Sequence, residues 1–329
     1  MTSTTPPGDR CPSLSAYWKA RFGERVHRVS LDAGFSCPNR DGTVGTGGCA
    51  FCDPASFSPA AGDLRPVREQ LAGGIARLRR RGIGRVAAYF QPHTNTYAPL
   101  ADLKRVWDQA LPFPEVVALC VGTRPDCVPD PVLELLGGYR ERWEVWLELG
   151  LQSAHDATLE RLRRGHTAGQ FAEACRRARG RGLRVCAHVI LGLPGEGPAQ
   201  EAETARFLAE LGVDGVKLHQ LAVVEGTALA EAWRRGEVGV LTEAQYARRA
   251  AAFLGGLPAG TVVHRLVGET DPARLLAPHF HKGRVLERIR RARAPASREP
   301  GAGAPREDGG QRGGEQGKKK AGPESGPAP

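Results

Sequence analysis

The sequence predicts an α/β fold built on a mostly parallel sheet, and three observations carry that prediction. Six short apolar runs alternate with six amphipathic stretches along the middle of the 329-residue chain. Several of the runs are apolar throughout, as strands buried on both faces are. Glycines and polar residues gather where the runs end, the edge at which parallel sheets bind ligands. Successive β-then-α units joined by right-handed crossovers follow from this order. The period alone leaves open whether the sheet closes.

The first run, His27–Ala33, leads into a cysteine-bearing loop and then the helical stretch Val67–Arg81. Arg85–Gln91 ends in Gln91-Pro92-His93 and is followed by Pro99–Ala110. Val116–Arg124 ends in Gly122-Thr123-Arg124-Pro125-Asp126, before Asp130–Arg140. Glu144–Ser153 closes on Gly150-Leu151-Gln152-Ser153, with Asp156–Arg164 and Gly169–Gly182 after it. Arg184–Pro194 runs into Gly192-Leu193-Pro194-Gly195 ahead of Ala199–Leu211, and Gly215–Leu221 carries Lys217-Leu218-His219. Length and β-branched content favour strands for the runs, and apolar spacing near 3.6 favours helices between them. A seventh run, Thr261–Val267, follows a helical stretch, Thr242–Leu254, and is expected as an edge strand.

Composition bounds the rest. At 41% hydrophobic the chain can bury a core, and no apolar run reaches the roughly 18–20 residues of a membrane span. Met1–Pro12 has no apolar signal region, so a cytoplasmic location without membrane partners is expected. Eight cysteines in a reducing compartment point to metal or redox chemistry or to buried thiols. The expected organisation is a flexible segment over 1–16, a core domain over 17–240, an α/β extension over 241–293 and a disordered tail over 294–329. That tail has 15 Gly or Pro and no large apolar residue, too little to offset its ordering entropy. It holds only part of the +10 formal charge, so the body is basic as well and suits an anionic partner such as nucleic acid.

The densest chemical signal is Cys37-Pro-Asn-Arg-Asp-Gly-Thr-Val-Gly-Thr-Gly-Gly-Cys49-Ala-Phe-Cys52, directly after the first strand. Soft thiolates suit zinc or an iron–sulfur cluster, and four would complete either site. Three leave one metal position open to a substrate or cofactor. The loop glycines let backbone wrap close to a cluster and point N–H groups at its sulfurs. A structural zinc site recruiting His27 or Asp53 is the competing reading.

These residues resemble the radical S-adenosylmethionine superfamily, with a three-cysteine loop after strand one and an aromatic before the last cysteine. The eleven-residue first gap resembles the branch of the elongator-type tRNA-modifying subunit. The blocks GFSCPNRDGTVGTGGCAFC, LCVGTRPDCVPD, VWLELGLQSAHD, AHVILGLPGE and GVKLHQL are closer still to a bacterial YhcC/YtqA-type subfamily, over about Tyr17 to Arg290. The resemblance implies a partial (βα)6, TIM-like barrel. It also implies a [4Fe–4S] cluster on Cys37, Cys49 and Cys52 whose fourth iron takes S-adenosylmethionine. Reductive cleavage would then give a 5′-deoxyadenosyl radical, with an electron from a reductant such as flavodoxin or ferredoxin.

For the cofactor, the resemblance assigns Phe51 to the adenine, with a core phenylalanine under the loop as the alternative, and Gln91 to the methionine amino group, where the family's Gly-Gly-Glu-type motif is replaced by Tyr89-Phe90-Gln91-Pro92. Arg164 is assigned to the cofactor carboxylate, with a solvent-facing arginine pair as the alternative. Gly192 is placed against the adenine, with a plain tight turn as the alternative. Glu148, a charge inside an apolar strand, is costly unless paired or functional; a ligand contact, with Gln152 and Ser153 beside it, is preferred to an ion pair. Arg124, Asp126, Lys217 and His219 sit at strand ends on the expected substrate side. Cys120 and Cys186 read as core thiols and Cys127 as an inert loop cysteine. The substrate implied by the elongator-like branch is RNA, a tRNA wobble uridine. A zinc- or cluster-stabilised nucleic-acid-binding protein without radical chemistry is the alternative.

Overall fold

The computed structural model describes residues 10–294, so the expected tail from residue 295 onward lies outside the described residues. The chain opens with α1 (Leu14–Phe22), β1 (Val26–Leu31), α2 (Pro54–Phe57), α3 (Val67–Arg79) and β2 (Arg85–Phe90). It continues through α4 (Leu100–Trp107), β3 (Val116–Thr123), α5 (Asp130–Gly138), β4 (Glu144–Gln152), α6 (Asp156–Arg161) and α7 (Ala168–Gly180). Then come β5 (Arg184–Leu191), α8 (Pro198–Leu211), β6 (Gly215–Gln220), β7 (Val223–Val224), α9 (Ala228–Arg234) and α10 (Glu243–Gly255). β8 (Val262–Arg265), β9 (Leu275–Ala277) and α11 (Lys282–Arg293) complete it.

Seven strands form one sheet in the order β1-β2-β3-β4-β5-β6-β8, parallel at every step, and the sheet curls into a partial barrel. The seventh run is therefore the expected edge strand. It draws the extension expected over 241–293 into the main sheet, because β8 pairs with β6.

Local chemistry sets the helix ends. Thr167 with Gln170, and Thr242 with Gln245, make reciprocal capping boxes at the starts of α7 and α10. Ser13 caps α1 by accepting from Ala16 N, and Gly23 ends it at φ 80°.

The sheet has two apolar faces. Leu31, Ala88, Phe90, Leu119, Val121, Leu147 and Val185 pack with the surrounding helices. Ala87, Tyr89, Ala118, Cys120, Trp146 and Cys186 face the lumen instead, where Leu14 and Trp18 of α1 join them. α1 thus fills one end of the barrel. Cys11 and Leu14 are buried and Ser13 bridges to Val263, so residues 11–16, expected to be flexible, belong to the fold. Their apolar content is too short to register as a periodic element; Leu14 packs into the lumen and Cys11 against the outer core. Among the described residues, no helix is long and apolar enough to cross a membrane.

Candidate active site at the carboxyl edge of the sheet

The loop from β1 to α2 is folded by backbone hydrogen bonds within itself and to the end of α6. Arg40 N donates to Cys37 O (2.7 Å), Gly48 N to Asn39 O (2.7 Å), and Ala50 N to Leu162 O (2.9 Å). Gly48 has φ +89°, and a Cβ there would meet the Arg40 guanidinium at 3.1 Å, so this turn favours glycine. Arg40 in turn donates to Cys52 O (2.7 Å). The outcome is that Cys37, Cys49 and Cys52 line one cavity of about 190 Å³ at the carboxyl edge.

Arg164 reaches this loop from the far end of α6. Arg163 takes a left-handed φ of 55° and so turns the chain inward. Arg164 donates from Nη1 to Cys49 Sγ (3.1 Å), from Nη2 to Gly150 O (2.8 Å) and from Nε to His166 Nε2 (3.2 Å). A Cβ at Gly150 would stand 2.9 Å from Nη2, so glycine at the end of β4 is what admits the guanidinium. Asn39 Nδ2 is a second donor to Cys49 Sγ, at 3.2 Å. Burial pushes the Cys49 thiol up, but Arg164, the Asn39 hydrogen bond and Arg124 together hold it below its usual value. Burial and the neighbouring Cys49 charge push Cys52 up to about 11.

Deeper in the lumen a single carboxylate organises the polar groups. Glu148, fully buried on β4, accepts from Arg28 Nη2 on β1 (2.7 Å) and Tyr89 Oη on β2 (3.0 Å). It also accepts from His188 Nε2 on β5 (2.8 Å) and Lys217 Nζ on β6 (3.2 Å). His264 Nδ1 lies 2.6 Å from Arg28 Nη2 and 3.1 Å from Glu148 Oε1. Burial pushes the Glu148 carboxyl up, yet Arg28, Lys217 and the His188 hydrogen bond hold it well below the ordinary range. Burial brings Lys217 down to about 8 despite Glu148.

These distances sort the expected site residues. Phe51, Gln91, Glu148, Gln152 and Arg164 line the cavity with the three cysteines, and so do Arg124, Lys217 and His219. Arg164 is buried, which disposes of the solvent-facing alternative. Glu148 has the partners of an ion pair, so any ligand contact is added to a carboxylate already within hydrogen-bond distance of five side chains. Three of the expected residues stand outside the cavity lining. Ser153 bonds Glu196, Gly192 N donates to Glu201 Oε1 where a Cβ would meet Leu241 at 2.9 Å, and neither residue lines the cavity. Asp126 also stays outside it, clamped to Arg124 at 3.0 and 2.8 Å.

Sequence reasoning passed over Asn39, His93 and His188. His188 carries the signal that singled out Glu148, a lone ionisable residue in an apolar strand. His93 is betrayed only by structure: φ is 64°, and its Nδ1 is buried without a partner among the described residues.

The donor set fits a cluster held by three thiolates. The two candidates for a fourth zinc ligand are committed elsewhere: Asp53 Oδ2 pairs with Arg274 Nη1 at 2.8 Å, and His27 Nε2 lies 3.4 Å from Arg25 Nη2, outside the cavity lining. All eight cysteines are free thiols.

The buried imidazoles make stability depend on acidity. Burial, the largest cause in each, pushes His166 down to about 3 and His188 and His264 to about 4, from 6.5. The unfolded chain therefore binds more protons than the folded one below pH 6.5, and folding weakens as pH falls from there towards 4. Urea midpoints of the cluster-free protein should rise only slightly from pH 7 to 8, where Lys217 begins to lose its proton, and drop steeply from pH 6.5 to 4.5. A flat profile through that window would contradict the neutral, buried histidines.

Comparison with known proteins agrees with this geometry. The family model for the radical SAM superfamily matches residues 41–208, and that for the radical SAM C-terminal domain matches residues 213–294. Protein YhcC of Escherichia coli (strain K12) is 45% identical over 265 residues, covering 80% of this chain and 85% of that protein. The tRNA uridine(34) acetyltransferase of Methanocaldococcus jannaschii is 34% identical over 125 residues, covering 37% of this chain and 22% of that protein. In structure, the archaeal Methanocaldococcus infernus Elp3 with an N-terminal deletion superposes with a TM-score of 0.54 at 21% identity, over 73% of this chain and 55% of that one. With three cysteines on the loop after β1 and a parallel partial barrel behind them, the chain belongs to the radical S-adenosylmethionine superfamily.

Proposed function

We propose that the protein is an enzyme that holds a [4Fe–4S] cluster on Cys37, Cys49 and Cys52, binds S-adenosylmethionine beside it, and acts on tRNA. The observation that carries the reading is the convergence of three thiols on one strand-edge cavity, with Asp53 turned away to Arg274. When bound, the cluster supplies the electron that splits the sulfonium and the cofactor supplies the 5′-deoxyadenosyl radical. The protein's own part is to place the ligands and to exclude water. Asn39 and Arg164 offer N–H donors to the Cys49 sulfur, where hydrogen bonding tunes the redox potential. Phe51, Gln91, Gln152 and Arg124 form the adjoining wall and are the candidates for contact with the cofactor or substrate.

The tRNA part rests on the basic body and on partial similarity to a tRNA uridine(34) acetyltransferase. A uridine in a tRNA is accordingly the substrate proposed. A reductant such as flavodoxin or ferredoxin completes the reaction.

The test is anaerobic reconstitution, with about four iron and four sulfide expected, then dithionite and S-adenosylmethionine to give methionine and 5′-deoxyadenosine. Stoichiometric zinc without iron would overturn the enzyme reading. Affinity of protein truncated after residue 294 for unmodified tRNA should fall steeply between 50 and 200 mM salt, by about tenfold or more if several phosphates are contacted. Absence of binding at low salt, with cleavage of S-adenosylmethionine retained, would remove tRNA.

A further inference from the structure

The lumen holds more positive charge than its own acid can balance. Glu148 is the carboxylate at its centre, and both Arg28 and Lys217 bond to it. Arg265 stands beside Lys217 in the β6–β8 register, and its charge acts on Lys217, His219 and Tyr89. The other carboxylate of the cavity lining, Glu269, is 61% exposed at its mouth and bonded to Lys282. Two cations therefore bond the one buried carboxylate and a third stands beside Lys217, an arrangement that is costly without a further anion.

The donors left over point the same way. Arg265 Nη1 is buried with no partner among the described residues. Lys217, 1% exposed, gives two of its three N–H groups to Tyr89 and Glu148. Its third remains for the cavity that it lines. His219 lines the same wall, with its ring 5.9 Å from that of His188 and no hydrogen bond to a described residue. A metal ion is a poor fit, although Glu148, Cys186 and His188 offer ligand atoms within 4.8 Å of one another. It would have to compete with Arg28 and Lys217 for the same carboxylate.

We propose that the β6–β8 wall of the cavity, Lys217 and His219 with Arg265 beside them, is a subsite for an anionic group of the substrate, a carboxylate or a phosphate. It lies on different strands from the cysteine loop and Arg164. The inference rests on the enzyme reading for what enters the cavity, but its test does not need turnover.

Reconstituted protein saturated with S-adenosylmethionine, without reductant, is titrated by fluorine NMR with trifluoroacetate, with monofluorophosphate and with neutral trifluoroethanol. Saturable binding is expected for one of the anions and none for the alcohol. Which anion binds tells a carboxylate from a phosphate. Lys217→Met and Arg265→Gln should each weaken that binding by about tenfold or more, the loss of one charge-assisted hydrogen bond. Arg85→Gln, outside the cavity, should leave it unchanged. Arg265→Gln decides the matter if Lys217→Met does not fold. Failure of both anions to saturate wild-type protein, or unchanged affinity in the folded variants, would overturn the proposal. Anion binding in protein that cannot cleave S-adenosylmethionine after reduction would instead remove the enzyme reading and leave the subsite standing.

Discussion

Replacing Cys37, Cys49 or Cys52 by alanine should abolish the iron–sulfur absorbance and all reductive cleavage of S-adenosylmethionine. In the proposed cluster each cysteine supplies one of three thiolates, and none of the other five cysteines lines the cavity to take its place. Cys49→Ala carries a second penalty, because Arg164 Nη1 and Asn39 Nδ2 lose their sulfur acceptor in a buried setting. Cys120→Ala and Cys186→Ala are the controls. Both thiols lie in the lumen-facing core with α1, where removing one small side chain lowers stability but leaves the ligand set whole. Iron and sulfide analysis with the visible spectrum reads the result. Wild-type iron content in any of the three ligand variants would mean that the cluster is held elsewhere.

Glu148→Gln should destabilise the protein by about 3–5 kcal/mol, the range for removing one partner of a buried ion pair. The substitution keeps the volume of the side chain but leaves Arg28 and Lys217 facing each other without a counter-charge. The double variant Glu148→Gln, Lys217→Met should recover part of that loss, since it removes one of the two uncompensated cations. Urea denaturation of the four members of the cycle measures the coupling. A loss below about 1 kcal/mol in Glu148→Gln would show that the cations are balanced by another group. The pH series described above gives an independent check, because Glu148 and the neutral histidines share one network.

The sequence by itself determined the alternation of strands and helices, the parallel sheet, the carboxyl edge as the ligand-binding edge and the three cysteines on the loop after β1. These features are local. Apolar period, capping residues and glycine-lined turns are written in consecutive residues, and Cys37–Cys52 spans one loop. Tertiary structure alone decided which face of each strand looks into the lumen, because a strand buried on both sides carries no polar alternation to mark it. It decided that α1, a short helix with little amphipathic pattern, fills the barrel end through Leu14 and Trp18. It also decided the partners of Glu148. Arg28 lies 120 residues before it, His264 lies 116 after it, and curling of the sheet brings both within hydrogen-bond reach. The sequence could mark the charge in β4 as one that needed a partner. Only closure of the strands around the lumen supplied that partner, since a buried carboxylate is satisfied by whatever donors the neighbouring strands place opposite it.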